Sequence, residues 1–269
     1  MSYDYLKLWE PMKINKMRLR NRIMLSAMGT FTPMQDGTDS EEGIRYYEER
    51  AKGGAGLIMT GAMFLSEKTA QGGPTLNLYS TRAIPKATVM VERVHRWGAK
   101  ICLQLSCGTG RNGMPDIGER VPISSSPNPA FYNPEMICRP LEVSEIKDIM
   151  KEFATAASFA LNAGFDAVEI HGHAGYLIDQ FISPEWNTRT DEYGGDLANR
   201  TRFALTLVRR LKAIVPDMVI DYKLPIVTPL GDNGFRGKGG LPLDEACIFA
   251  KELEAAGVDT LHVAQANHT

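Results

Sequence analysis

Little in this sequence points to a membrane, a polyanion or a disulfide frame. No stretch approaches the roughly 18 consecutive apolar residues that cross a bilayer. The opening MSYDYLKLWEPMK has no apolar core and does not read as a secretory leader. Lys plus Arg number 30 against 32 Asp plus Glu, a net charge of −2, so neither nucleic acid nor an acidic membrane surface is an expected partner. Only four cysteines occur, Cys102, Cys107, Cys138 and Cys247, and no two make a C-x-x-C pair. They read as scattered reduced thiols in a cytoplasmic protein rather than a cluster or a disulfide set. Internal repeats of the solenoid kind are absent. The Gly-rich segment 232–242, within GDNGFRGKGGLP, lacks the G-x-x-x-x-G-K-[ST] order of a phosphate loop, and no strand feeds directly into it.

What is present is an ordinary globular composition, 43% hydrophobic and 23% charged, over 269 residues. That length suits one large α/β barrel or two modest domains. Residues 6–21 alternate polar and apolar around Asn15-Lys16, which reads as a small hairpin. RIMLSAM (22–28) reads as the first buried strand, leaving through Gly29-Thr30-Phe31-Thr32, small enough for a ligand to approach the backbone. SEEGIRYYEERAK (40–52) reads as a helix with Ser40 as N-cap and Gly53-Gly54 as its stop. The second strand spans 56–62. Residues 83–97 place Ile84, Ala87, Val91 and Val94 at helical spacing. KICLQLS (100–106) is the third strand, with Gln104 among apolar neighbours, and Arg111 follows in a Gly-rich exit. Segment 112–141 is long, Pro-rich and aperiodic, as functional lids and substrate walls often are. Ser144 is expected to cap a helix whose Ile146, Ile149, Met150, Phe153, Ala157 and Leu161 form one stripe against a sheet. A helix at 199–214, a strand at 219–225, a helix at 243–256 and a strand at 260–264 complete the pattern. About six strand–helix units fit, whereas a closed (β/α)8 barrel needs eight, so the chain looks about two units short.

The stretch 163–203 organises the rest. It reads AGFDAVEIHGHAGYLIDQFISPEWNTRTDEYGGDLANRTRF. Residues 167–170 suit a buried parallel strand. His171, His173, Tyr176, Asp179 and Gln180 crowd past its end, and the carboxyl ends of parallel strands are where ligands bind. A lone His there is more often a satisfied structural residue; the whole stretch reads differently.

HGHAGYL, DQFISP, NTRTDEYGG and NRTRF, with YYEERAKGGAGLIMTGA earlier in the chain, resemble the old yellow enzyme family of flavin oxidoreductases. The H-G-H-x-G-Y-L order is similar to its 2-enoate and 2,4-dienoyl-CoA reductase branch. The resemblance runs from Trp9-Glu10-Pro11 to the last residues. It implies a TIM-type (β/α)8 barrel with FMN as cofactor, truncated here after about the sixth strand, as a single domain over 1–269. The hairpin is implied to close the barrel bottom. It also implies NAD(P)H as electron source and an activated C=C bond as substrate, in an α,β-unsaturated acid, ketone or thioester. A small-molecule partner follows, and a homo-oligomer is compatible with it. Any 4Fe-4S cluster or FAD would belong to a longer parent.

Residue by residue, the resemblance gives Gln104 as the amide at the flavin's pyrimidine edge, where a side chain that both donates and accepts is useful. Lys223 stands where the family has Arg, keeping a cation near the reduced ring without the fork geometry. Ser26, Ala27, Met28, Gly61 and Ala62 would line the isoalloxazine. Gly29 stands where Thr or Cys is usual, with Thr30 next to it. Tyr176 matches the proton donor; a phenol with pKa near 10 is protonated at neutral pH. His171 matches the first carbonyl-binding group. The second is expected at Ala174, with His173 one place earlier. His268 falls where dienoyl-CoA reductases carry a further His.

Three rival readings remain. Amine oxidation occurs in the family's trimethylamine-dehydrogenase-like members. A barrel lacking two strands would be a non-catalytic module, binding FMN poorly, of low stability, with strands one and six as open edges. His171-x-His173 as zinc ligands would need further His or Asp on strands one to three, which offer none; no metal is expected.

Overall fold

The computed structural model describes residues 5–30, 32–34, 36–65, 77–78, 81–113, 121–173, 175–226 and 241–265. Phe31, Ala174, His268 and most of 232–242 lie outside them, so the expectations placed there have no structural account.

A helical turn, α1 (Leu6–Trp9), precedes the antiparallel hairpin β1 (Met12–Ile14) and β2 (Met17–Leu19). The reversal uses Asn15 at φ 49°, a conformation Asn tolerates through its short polar side chain. Then come β3 (Met24–Met28), α2 (Glu41–Lys52), β4 (Leu57–Thr60), the short β5 (Met63–Phe64), α3 (Ala83–Arg96) and β6 (Lys100–Ser106). After a 3-10 turn at Gly110–Asn112, β7 (Ile123–Ser124) pairs with β8 (Arg139–Pro140). The chain continues as α4 (Val143–Ala163), β9 (Ala167–His171), α5 (Leu177–Ile182), α6 (Leu197–Ile214), β10 (Val219–Ile226), α7 (Leu243–Ala256) and β11 (Thr260–Gln265).

The main sheet runs β11-β10-β9-β6-β4-β3, every pairing parallel, with β5 added beside β6. Six barrel-type strands therefore stand in sequential order, as the alternation predicts. The sheet curls: Ser26 of β3 and His262 of β11 approach to 3.3 Å although they belong to its two outermost strands.

Alternation along the strands divides the core in two. Ile58, Ile101, Leu103, Val168, Ile170, Ile220, Tyr222 and Leu224 face the helices in one large apolar cluster. Leu57, Met59, Cys102, Ala167 and Val219 point to the opposite, concave face, where Met17 and Leu19 of the hairpin cover them. The hairpin thus closes the bottom of the concave side. All four cysteines are free thiols.

Some local readings need correction. Helix α4 starts one residue before Ser144, capped from Glu142, whose N–H donates to Glu145 Oε2 at 2.9 Å. The Glu145 carboxylate, three residues on, reaches back to the N-cap N–H, one half of a capping box. Leu161 lies 55% exposed, and Ala160 takes the inward position. Helix α5 was not anticipated; its six residues are all buried, so it shows no amphipathic period.

Candidate active site

The face that carries apolar residues at the bottom of the strands carries polar ones higher up. Cys102 leads two residues on to Gln104, Ala167 to Glu169 and His171, and Val219 to Asp221 and Lys223. Period-two alternation puts them all on the concave face. Register then sets their levels: Gln104 lies beside Glu169, Glu169 beside Asp221, and Lys223 between His171 and His262.

The lower level is a closed hydrogen-bonded cluster. Gln104 Nε2 donates to Glu169 Oε1, and His262 Nδ1 donates to Glu169 Oε2 at 2.7 Å. His262 Nε2 lies 3.3 Å from Ser26 Oγ. Burial, followed by the neighbouring Glu169 charge, pushes Asp221 well above the carboxylate range, so it stays protonated and bonds Glu169. Burial would also raise Glu169, but hydrogen bonds from His262 and Asp221 outweigh it and hold the carboxylate below its ordinary value. Glu169, Asp221 and His262 present ligand atoms within 4.8 Å of one another, a set that could hold a metal ion. The bonds among them satisfy Glu169 without one, leaving Asp221 Oδ2 as the buried atom with no partner.

The upper level faces the strand exits. His171 ends β9 and is buried. Burial, reinforced by Lys223, pushes its pKa down to about 3, so the ring is neutral. Its Nδ1 is sealed with no partner among the described residues. Tyr176 stacks on it, ring centroids 4.7 Å apart and planes 12° from parallel. Burial, then Tyr132, pushes the Tyr176 phenol up, so it keeps its proton. His173 is buried in the same loop.

The loop that presents Tyr176 is bolted from beneath. Gly175 turns it at φ 68°. Gly175 N–H donates to Asp179 Oδ2 at 2.7 Å, while its carbonyl accepts from Gln180 Nε2 and, at 2.9 Å, from Asn112 Nδ2. Gln180 Oε1 takes Ser124 Oγ at 2.7 Å and Arg111 N–H at 3.2 Å. One amide on α5 therefore ties the loop after β6, the 112–141 segment and the Tyr176 loop together.

Across the mouth lies a shelf with few side chains. Tyr47 from α2 donates to Met28 O at 2.9 Å and accepts from Gly61 N–H at 2.8 Å, fastening the exits of β3 and β4 to each other. The exits touch: a Cβ on Gly61 would lie 2.5 Å from Gly29 Cα. Met28 is 52% exposed and Ser26 also faces open space. Ala62 is half-buried beside them. Lys223 is half-buried opposite, without a carboxylate partner among the described residues.

The structure thus brings Ser26, Met28, Gly29, Gly61, Ala62, Lys223, His171 and Tyr176 to one mouth, with Ala27 in the strand below. The shelf offers uncovered apolar surface, backbone free of side chains and, opposite, a half-buried cation without an anion among the described residues. Gln104 sits one level lower with its amide nitrogen engaged by Glu169, so the face it can offer a ring is its carbonyl oxygen. Glu169, Asp221 and His262 were missed by sequence reasoning. The signal was there: VEIH, IDYK and LHV each interrupt an apolar strand at alternate positions, so their polar residues share a face.

The sequence matches the profile described as NADH:flavin oxidoreductase / NADH oxidase family over residues 7–267. It is 41% identical to a cinnamate reductase of Clostridium sporogenes, over 97% of this chain and 42% of that protein. The fold resembles an old yellow enzyme homologue from Zymomonas mobilis at TM-score 0.82 and 26% identity, over 96% of this chain and 73% of that one. It also resembles a histamine dehydrogenase from a Rhizobium at TM-score 0.82 and 27% identity, over 98% of this chain and 37% of that one. The chain therefore spans less than half the length of the cinnamate reductase and the histamine dehydrogenase.

Proposed function

Because the chain belongs to the NADH:flavin oxidoreductase / NADH oxidase family, we propose that it is the flavin-binding part of an FMN-dependent enzyme that reduces an activated C=C bond with NAD(P)H. In this reading its six units form the larger part of a (β/α)8 barrel. The observation that carries it is the His171–Tyr176 stack beside Lys223, opposite the Met28–Gly29/Gly61 shelf.

When bound, the flavin supplies hydride taken from NAD(P)H. Lys223, across from the shelf, would hold positive charge that favours a ring gaining negative charge. The shelf would seat a flat ring against backbone, since no side chain projects from Gly29 or Gly61. His171 is neutral, so one ring nitrogen carries a proton that can be donated to a substrate carbonyl. Its neighbour His173 lies two residues along the same loop. The Tyr176 phenol, protonated at neutral pH, supplies the proton that the α-carbon takes up. The two roles are separable: the imidazole polarises, the phenol protonates. The Gln180 hub fixes the loop so that these groups share one face of the substrate.

Amine oxidation is the second reading, favoured by the fold shared with a histamine dehydrogenase at 27% identity. Anaerobic screening of enoates, enones and methylated amines with the flavin-loaded protein separates the two. Turnover of unsaturated acids or ketones is expected; turnover of amines alone would overturn the first reading.

A further inference from the structure

Glu169 takes no part in the chemistry proposed at the mouth, yet it lies wholly buried beneath it. Both of its oxygens are taken: Oε1 by Gln104 Nε2, and Oε2 by His262 Nδ1 at 2.7 Å. Burial works against its charge, but the bonds from His262 and from the protonated Asp221 outweigh burial. Glu169 therefore stays an anion, and an ionised carboxylate only accepts. This decides what an amide by itself leaves open, since its two ends share a shape and differ in polarity. The nitrogen of Gln104 must face Glu169, and its carbonyl oxygen must face away.

Gln104 stands next to the shelf. Strand β6 pairs Cys102 with Met59 below it and Leu105 with Met63 above it, so Gln104 comes alongside Gly61. Its backbone is held there by Thr60 Oγ1, which accepts the Gln104 N–H at 3.1 Å. The side-chain carbonyl takes no hydrogen bond among the described residues and is not sealed from solvent. Glu169 uses one of the two amide hydrogens, so one remains. The edge on offer is thus an acceptor with a donor beside it. Its complement is an imide edge, a ring N–H flanked by carbonyls, as in the pyrimidine part of a flavin. A bond to an anion also polarises the amide, which strengthens its carbonyl as an acceptor.

We propose that Glu169 is a positioning residue: it fixes the direction of the Gln104 amide, so that the mouth presents a preset acceptor to the imide N–H of the flavin. The inference rests on the flavin in the reading above and not on the alkene. An amide free to turn would meet the ring in either direction, and one of the two sets its own N–H donors against the ring N–H. Presetting removes that choice. The ordering is done in folding, before the ring arrives.

The test compares FMN with 3-methyl-FMN, whose ring N–H is replaced by a methylated nitrogen, in fluorescence titrations of the flavin-free protein. The unaltered protein should prefer FMN roughly 10–100-fold, the size of a buried acceptor left without its donor. Glu169→Gln offers Gln104 a donor as well as an acceptor, so that preference should fall roughly tenfold. A merely structural role would weaken both flavins alike and leave their ratio unchanged, and that result would overturn the proposal. Gln104→Leu should lower the ratio as far, and Glu169→Gln added to it should lower it no further; a further fall would mean that Glu169 acts by another route. One measurement needs no variant. With the nitrogen of its glutamine side chains isotopically labelled, the flavin-free protein should show the Gln104 amide in nuclear magnetic resonance as two widely separated proton signals, the one bonded to Glu169 slow to exchange. An ordinary, fast-exchanging pair would overturn the proposal whether or not the variants fold. The two readings fail differently. FMN bound with the expected preference but no alkene reduced would sink the reductase reading alone; alkene reduction with a ratio untouched by Glu169→Gln would sink this one alone. No binding of FMN would overturn both.

Discussion

Asp179 offers a perturbation whose size follows from the structure. It is wholly buried on α5, with Oδ2 accepting the Gly175 N–H at 2.7 Å and Oδ1 without a partner among the described residues. Tyr222 beside it also has a buried, unpartnered hydroxyl. Burial pushes Asp179 up to about 7, against 3.8 for a free side chain. A raised carboxyl pKa means that the native state prefers the neutral form. Its contribution to stability is therefore complete below about pH 4 and is lost as pH rises towards about 7, where the native state must bury a charge. The gap between those two pKa values sets a ceiling of about 4 kcal/mol on that loss. Asp179→Asn keeps an acceptor for Gly175, gains a donor for the Tyr222 hydroxyl, and stays neutral. The variant should be more stable than the parent by about 1–4 kcal/mol at pH 8 and nearly equal to it at about pH 3.5. Urea unfolding followed by circular dichroism at both pH values measures this. A difference that does not change with pH, or a variant less stable at pH 8, would refute the reasoning.

His171 should act in the opposite sense. Its native pKa of about 3 means that stability is complete above about 6.5 and falls as pH drops towards 3; His171→Gln should flatten that acid limb by a few kcal/mol, read from the same unfolding curves. Gly61→Ala places a Cβ 2.5 Å from Gly29 Cα and 2.9 Å from its nitrogen, contacts with backbone that cannot swing away. It should cost about 1–3 kcal/mol and weaken flavin titration, while Ala62→Gly, on the same shelf, should leave that titration nearly unchanged. Tyr176→Phe keeps the ring that stacks on His171. NAD(P)H should reduce the flavin at a near-normal rate while alkene reduction falls roughly 10²–10⁴-fold; equal loss in both half-reactions would make Tyr176 structural.

The frame of this protein was legible because its strands announce themselves. KICLQLS, AVEIH and VIDYKLP are short apolar runs, and each is a parallel strand of the main sheet. His171 and Tyr176 stood out by crowding past a strand end, whereas Lys223 and the Met28–Gly61 shelf were singled out only by the family resemblance. The Glu169–Asp221–His262 cluster was not, because its members lie far apart in sequence and meet only when three strands pair and His262, level with Lys223, reaches down to Glu169. Helix α5 was hidden because burial on every side erases the helical period.

The central claim is that electrons pass from the flavin at this mouth to an alkene. It is tested most directly by a single-turnover experiment on the flavin-loaded protein, reduced in the absence of oxygen and mixed with an α,β-unsaturated acid. The flavin absorbance is expected to return in one exponential phase whose rate saturates with acid concentration, yielding the saturated acid in equal amount. A flavin that stays reduced with every unsaturated acid and ketone, while its oxidised form is bleached by a methylated amine, would contradict the claim.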